Sequence, residues 1–525
     1  MVPEKLDLEK AVGRLLVGRL PGKTLDAPFK QLLESGTAGG ICIFKDNVDN
    51  LQQLTNLVSE IGKASTFNPI ICVDQEGGAV QRFDDVLTPL PSLMALAATG
   101  NEKHVETAAV INARQLRTLG VNCVLSPVVD VASNPLNPII GTRAFSSNTQ
   151  TVTDCARAML EAFMQEGVVP VVKHYPGHGD TGQDSHSELA VIDRPRQSVE
   201  DLELVPFKNC AQLAPAVLAG HVWLTAYEEK ALPATLSKKL MQDVLRKELG
   251  FAGLVFTDDM MMKAVSGHYG LAESALLAIE AGCDVLLLCC SADQLRETHQ
   301  FLVEAARSGR LKEERIHEAG NRVDELFPLS AKCNSDPQSR LWQLSNWLTD
   351  DLARIFAIYR DSICLLKGKM PQVDEKPLTV VYPKHQRYPL ALVQFLRERL
   401  VLAGIKPSIE ELPYSLDPDR DEIKSVVEKT EGKNVALITF RAGLNKGQKV
   451  LAEHLEKCAA TFFGVAADIP YDCLSVPESA TYLGTFDPSN MAMEQLAIML
   501  VHGEKAKGTC PVALETQQKQ NEIKA

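Results

Sequence analysis

The chain has 525 residues, 45% of them hydrophobic and 23% charged. That composition excludes a disordered or membrane-embedded protein, and the length exceeds one ordinary core, so two domains are expected. With 54 Lys+Arg against 67 Asp+Glu the formal charge is -13, which, in the absence of a local basic patch, argues against a nucleic-acid partner.

The N-terminal MVPEKLDLEKAVGRLL carries acidic residues where a secretory leader would be basic, and no apolar run reaches the length of a membrane span. Thirteen scattered cysteines without a CxxC pair suit reduced thiols in a cytoplasmic protein and give no zinc-ligand spacing. From residue 15 onward, short apolar runs alternate with segments of helical period. They are LLVGR (15–19), GICIF (40–44), IICVD (70–74), NCVLSP (122–127), VVPVVKH (168–174), AVLAGHV (216–222), GLVFTDD (253–259) and CDVLLLC (283–289). Continuous apolar strands alternating with helices imply a parallel sheet covered on both faces, and eight in a row predict a (β/α)8 barrel. A doubly wound open sheet is the alternative, weakened because no GxGxxG follows the first strand. Several runs end in polar residues, namely Asp74, Lys173 with His174, His221 and Asp258, whereas their beginnings read as bland. That polarity puts the chemistry at the C-terminal rim.

Residues 292 to 362 read as mostly helical and charged, with KCNSDPQSR (332–340) as the clearest break. A second α/β unit follows, with strands expected at SICLLKG (362–368), LTVVYP (378–383), NVALITF (434–440) and ATFFGVA (460–466). The expected division is a barrel over 1–330, a linker over 331–360, a smaller α/β sandwich over 361–515 and a polar tail over 516–525.

The densest chemistry lies in KHYPGHGDTGQDSH (173–186). Lys173 and His174 end the fifth strand, where they can fix ligand hydroxyls. Gly177, Gly179 and Gly182 make the next residues a loop expected to move over the site. At its far end Asp184 can orient His186. Metal ligation by these histidines stays open on composition, although spacings of four and eight across a glycine loop lack helical ligand geometry. In VFTDDMM (255–261), Asp258 is expected to face the barrel mouth and Asp259 to cap the next helix.

The 173–186 stretch resembles, without a gap, the signature of family 3 glycoside hydrolases, specifically their N-acetyl-β-glucosaminidase branch. VDQEGG (73–78), GTRAF (141–145), AGHV (219–222), PATLS (233–237) and FTDDMMM (256–262) agree in order, over roughly residues 10 to 330. The resemblance implies Asp258 as nucleophile, His186 as general acid/base and Asp184 as its partner. It implies Asp74, Arg82, Arg143, Lys173 and His174 as the holders of the first sugar, with no cofactor and no metal. The branch usually has arginine where this chain has Ala79, which puts one contact near that sugar in doubt.

The implied activity is retaining, exo-acting release of N-acetylglucosamine from small glycans such as muropeptides or chitin oligosaccharides, a small carbohydrate being the only partner implied. Alternatives are a β-glucosidase or broad-specificity hydrolase, a phosphorolytic enzyme using phosphate as acceptor, or a sugar-binding protein that has lost its chemistry. DSICLLKG (361–368) and HGEKAKGTCPV (502–512) resemble, more weakly, the sandwich domain that follows the barrel in many family members. Packing or oligomerisation is the role expected of that domain.

Overall fold

The computed structural model describes residues 7–182, 189–328 and 336–514. Eight strands form the first sheet: β1 (Leu16–Arg19), β2 (Gly40–Ile43), β3 (Ile70–Val73), β4 (Cys123–Val124), β5 (Val169–Tyr175), β6 (Ala216–Ala219), β7 (Leu254–Thr257) and β8 (Leu286–Leu288). Each is parallel to the next in chain order, and β8 returns to pair with β1 through Leu16 and Leu286. The Phe256–Val285 bridge and the Thr257 N–H on the Val285 carbonyl, 2.9 Å, close the ring. The sheet is therefore the expected barrel and not an open doubly wound sheet. Its strands are buried almost throughout because helices cover their outer faces.

Local signals set the helix ends. Asp26 accepts the Phe29 N–H to start Ala27–Ser35, which stops at Gly36 in the left-handed region (φ 75°). Asn101 and Asn148 cap Glu102–Leu119 and Thr149–Gln165 in the same way. β4 is only two residues long. Pro127 has no N–H to give, but the Ser126 and Pro127 carbonyls still accept the Val171 and Lys173 N–H groups at 3.1 Å each, and the Val129 N–H reaches the Lys173 carbonyl at 2.8 Å.

The strand beginnings are not all bland. Asp284, fully buried just before β8, takes Arg246, Arg315 and Arg322 at 2.6 to 2.9 Å, and its carboxylate also accepts the Val255 N–H. Arg14, equally buried, donates to Asp324, the Asn68 carbonyl and the Phe327 carbonyl. Both clusters tie strand beginnings to outer helices, so polarity at that end serves the framework.

The stretch expected as a linker carries a 26-residue helix, Pro337–Ser362, started by the Asp336 cap. Its buried Asp351 bonds Arg114 and Gln115 of the barrel helix Glu102–Leu119, and its Tyr359 hydroxyl donates to Asp487 further along the chain. A second sheet follows, made of β9 (Cys364–Lys367), β10 (Leu378–Pro383), β11 (Ile409–Tyr414), β12 (Asn434–Thr439), β13 (Thr461–Ala466) and β14 (Thr481–Gly484). Its order is β9-β14-β13-β12-β10-β11, parallel except at β9. Leu392–Leu402 and Asn490–His502 pack one face through Leu396 and Leu496. Arg420–Thr430 and Lys446–Cys458 pack the other through Val426 and Leu451. β11 and β14 were not expected. The former is an edge strand with exposed acidic residues and a proline, and the latter is four residues long. Among the described residues no helix is long and apolar enough to cross a membrane.

Asp472, buried in this second unit, accepts the Ala442 N–H, while its other oxygen has no hydrogen-bond partner among the described residues. Burial raises its pKa to about 7. The unfolded group titrates near 4, so the folded state is penalised progressively as pH rises from about 4 to 7. Asp472→Asn is therefore expected to raise the melting temperature by a few degrees at pH 8.5 and by markedly less at pH 5, as scanning calorimetry at the two pH values would show.

Candidate active site

The C-terminal ends of the barrel strands surround a cavity of about 340 Å³ whose walls include Asp74, Arg82, Arg143, Lys173, His174 and Asp258. That size suits one small ligand. Asp74 directly follows β3 and takes Lys173 Nζ at 2.8 Å and Arg82 Nη2 at 3.0 Å. Burial works to raise its pKa, but Lys173 and Arg82 outweigh it and hold the carboxyl well below the usual range. Two residues on, fully buried Glu76 takes Lys173 Nζ at 2.5 Å and a two-pronged contact from Arg143 at 2.8 and 2.9 Å. Burial again raises its pKa, and Arg143 with Lys173 bring it below normal. Lys173, 2% exposed, thus bridges two carboxylates that are themselves gripped by arginines.

The pairing of β5 with β6 shifts register between Val172 and Tyr175, and consecutive Lys173 and His174 both face the cavity in place of alternating. His174 Nε2 lies 3.1 Å from Arg143 Nη2 and its Nδ1 2.7 Å from Asp130 Oδ2. A guanidinium can only donate, so Nε2 accepts and the ring proton sits on Nδ1, directed at Asp130. Asp130 also accepts the His178 N–H at 2.7 Å. Arg82 Nε is buried without a hydrogen-bond partner among the described residues.

Across the cavity, β7 ends in Asp258 and Asp259, which fare differently. Asp259 accepts the Met261 and Cys289 N–H groups at 3.0 Å each, so it fixes the turn and the adjacent strand end; the helix Lys263–Tyr269 starts after Met262 with no side-chain cap. Among the described residues Asp258 takes only the Asp259 N–H, at 2.9 Å, and it stays half-buried on the cavity wall. Burial pushes its pKa up, but His221, the Asp259 N–H and Lys173 bring it below the normal range. It is therefore an ionised carboxylate open to a ligand. His221, at the end of β6, bonds the Thr235 hydroxyl and donates to the Asp259 carbonyl.

The described part of the loop after β5 is bonded to the loop after β4. Asn137 Nδ2 donates to the His178 and Gly179 carbonyls at 2.8 and 3.0 Å, and Asn134 Nδ2 to the Asp180 carbonyl. A Cβ on Gly179 would sit 1.7 Å from the Val131 carbonyl oxygen. Residues 178–180 are thus held against the loop after β4. Asp184 and His186 lie outside the described residues. Sequence reasoning missed Glu76, Asp130 and His178. Glu76 stood inside the quoted VDQEGG, and Asp130 follows a proline that hides the strand. His178 is buried, which lowers its pKa to about 4 and leaves it neutral near pH 7. Among the described residues no group of three or more His, Cys, Asp or Glu is arranged to hold a metal ion.

A closed parallel barrel with ordered charges and an ionised carboxylate at its C-terminal rim has the architecture of a barrel enzyme acting on a small polar substrate. The chain belongs to glycosyl hydrolase family 3: residues 8–326 match the model of that family's N-terminal domain. A β-hexosaminidase of Nitrosomonas eutropha is 33% identical over 320 residues, which are 59% of this chain and 91% of the relative. One from Stenotrophomonas maltophilia is 37% identical over 283 residues, 52% of this chain and 83% of its own length. A solved family 3 β-N-acetylglucosaminidase from a Paenibacillus species superposes with a TM-score of 0.87 at 29% identity, covering 97% of this chain and 99% of that one.

The charge network yields a stability test. Replacing Glu76 by Gln leaves Arg143 and half of the Lys173 charge buried without their counter-ion. Such a loss costs about 3 kcal/mol, to be read as a lower urea midpoint with unchanged far-ultraviolet dichroism.

Proposed function

We propose that this chain is a retaining, exo-acting β-N-acetylglucosaminidase. The observation that carries the reading is Asp258, ionised and half-buried on the wall of a one-sugar cavity, opposite the Asp74, Arg82, Lys173, His174 and Arg143 constellation. Relatives named β-hexosaminidase and β-N-acetylglucosaminidase support the choice of sugar.

In this reading Asp74, Arg82, Lys173, His174 and Arg143 hold the terminal sugar. Arg143 and Lys173 owe their positions to Glu76, and His174 to Asp130. Asp258 attacks the anomeric carbon as the glycosidic bond breaks, and His186, oriented by Asp184, gives its proton to the leaving oxygen. The product is a glycosyl-aspartate and a free leaving group. His186 then takes a proton from water as that water's oxygen displaces Asp258, so configuration is retained after two inversions. A histidine with an ordinary pKa of about 6.5 suits a group that must both donate and accept near neutral pH.

The substrates are small soluble glycans, muropeptides or chitin oligosaccharides. The described cysteines are all unpaired, which supports a reducing, cytoplasmic setting. The division into barrel, connecting segment and sandwich at about residues 330 and 361 is part of the same proposal.

The test is colorimetric. The protein should release 4-nitrophenol from the β-N-acetylglucosaminide and not from the β-glucoside, and Asp258→Asn should lower kcat by roughly 10³-fold or more with an unchanged melting temperature. Equal turnover of the glucoside, or an active Asp258→Asn variant, would overturn the reading. Added phosphate should leave free sugar as the product; a sugar 1-phosphate would identify phosphorolysis.

A further inference from the structure

Two loops that wall the cavity extend outward to the second domain. Val80 and Arg82 belong to one, Ile139 and Arg143 to the other. Arg387 Nη2 donates to the Ala79 carbonyl at 2.5 Å, and Arg441 Nη1 donates to the Pro138 carbonyl at 2.8 Å. Between these arginines three rings stand together: His385 to Tyr388 at 5.0 Å between centroids, His385 to Phe440 at 4.5 Å, and Tyr388 to Phe440 at 5.9 Å. Phe440 is buried, whereas His385 and Tyr388 keep part of their surface open.

The two arginines differ in what neutralises them. Arg441 is paired with Asp468. Arg387 is exposed, its guanidinium lies 5.3 Å from the centre of the Tyr388 ring, and among the described residues no carboxylate pairs with it. Inside the cavity the cations are already matched: Arg82 and Lys173 by Asp74, Arg143 by Glu76, and Arg19 by Asp46. In a chain of net charge -13, an acidic ligand needs a local cation to meet it. Arg387 supplies one beside the cavity wall, with a ring fixing its plane and one nitrogen anchored, so its remaining donors are preorganised for a carboxylate.

We propose that this edge of the second domain is the leaving-group subsite, in which Tyr388 and His385 offer ring surface to the sugar next to the scissile bond and Arg387 pairs with a carboxylate on that sugar. The proposal rests on the glycosidase reading above, since a cavity for one terminal sugar leaves the rest of the glycan at the mouth. It gives the second domain a part in substrate choice beyond the packing role expected from sequence.

The experiment compares wild type with Arg387→Ala and Arg387→Lys on three N-acetylglucosamine β-disaccharides. Their second sugar is a neutral N-acetylhexosamine, the same sugar carrying a 3-O-lactyl carboxylate, or a uronic acid. Removing a charge-assisted contact is expected to raise KM for at least one acidic disaccharide, relative to the neutral one, about tenfold or more with little change in kcat. Arg387→Lys should recover part of that loss. The acidic substrate that responds identifies which carboxylate is read. An equal change on all three substrates would show that Arg387 only ties the domains together and would overturn the proposal, as would no change on either acidic one. Should Arg387→Ala fail to fold, the Lys variant decides by the same acidic-to-neutral ratio. Failure of the wild type on every N-acetylglucosaminide would instead overturn the glycosidase reading.

Discussion

Lys173 is the charge on which the site depends. Almost without solvent, it is held between Asp74 and Glu76, and each carboxylate has a second cation, Arg82 or Arg143. A buried ammonium is tolerable only with such compensation, and a buried carboxylate likewise, so no member can be lost without stranding its neighbours. The chain continues from Arg143 through His174 to Asp130. Residues from β3, β5 and the loops after β3 and β4 are thereby held in one arrangement before any ligand arrives. For a polar ligand such as a sugar this matters, because its many hydroxyls reward donors and acceptors that need no reorganisation.

The two ends of the barrel use charge for opposite purposes. At the strand beginnings Asp284 is surrounded by three arginines and a backbone N–H, and Arg14 by a carboxylate and two carbonyls. Those groups are consumed by their partners and present nothing to a ligand. At the strand ends the same currency of ions leaves Asp258 half-buried and Arg82 Nε unmatched. The second domain steadies that open end through its contacts on the loops 77–82 and 136–143. The helix Pro337–Ser362 fixes the distance between the two units more firmly than an extended connection would.

The barrel was legible because each of its strands is a continuous apolar run, the pattern that burial on both faces demands. β11 was not, because Ile409–Tyr414 lies at a sheet edge, where IEELPY can be charged and need not look like a strand. Among the site residues, Asp74, Lys173, His174 and Asp258 were visible because they end or directly follow strands. Arg82 and Arg143 lie on loops, where only the family motif pointed to them. Asp130 was invisible for a physical reason: β4 ends at Val124, and the bonds that bring the carboxylate under His174, from Lys173 N–H to the Pro127 carbonyl and from Val129 N–H to the Lys173 carbonyl, lie beyond that short apolar run. Glycine has a second reason in one place: Gly179 is required by close approach to Val131, and the carbonyls of 178–180 accept from Asn134 and Asn137.

Asp258 and Asp259 show how little sequence distance says about chemical fate. Both leave β7, and both are partly buried. Asp259 spends its oxygen on two backbone N–H groups, and burial with its charged neighbour Asp258 raises its pKa. That cost to the ionised form is borne for structure, since the bonds hold the turn and the end of β8 in place. Asp258 is spared such work by its neighbour and is kept ionised by His221, the Asp259 N–H and Lys173. The field that lowers its pKa comes partly from Lys173, whose position Asp74 and Glu76 determine. The ion network on one side of the cavity therefore sets the charge state of the carboxylate on the other.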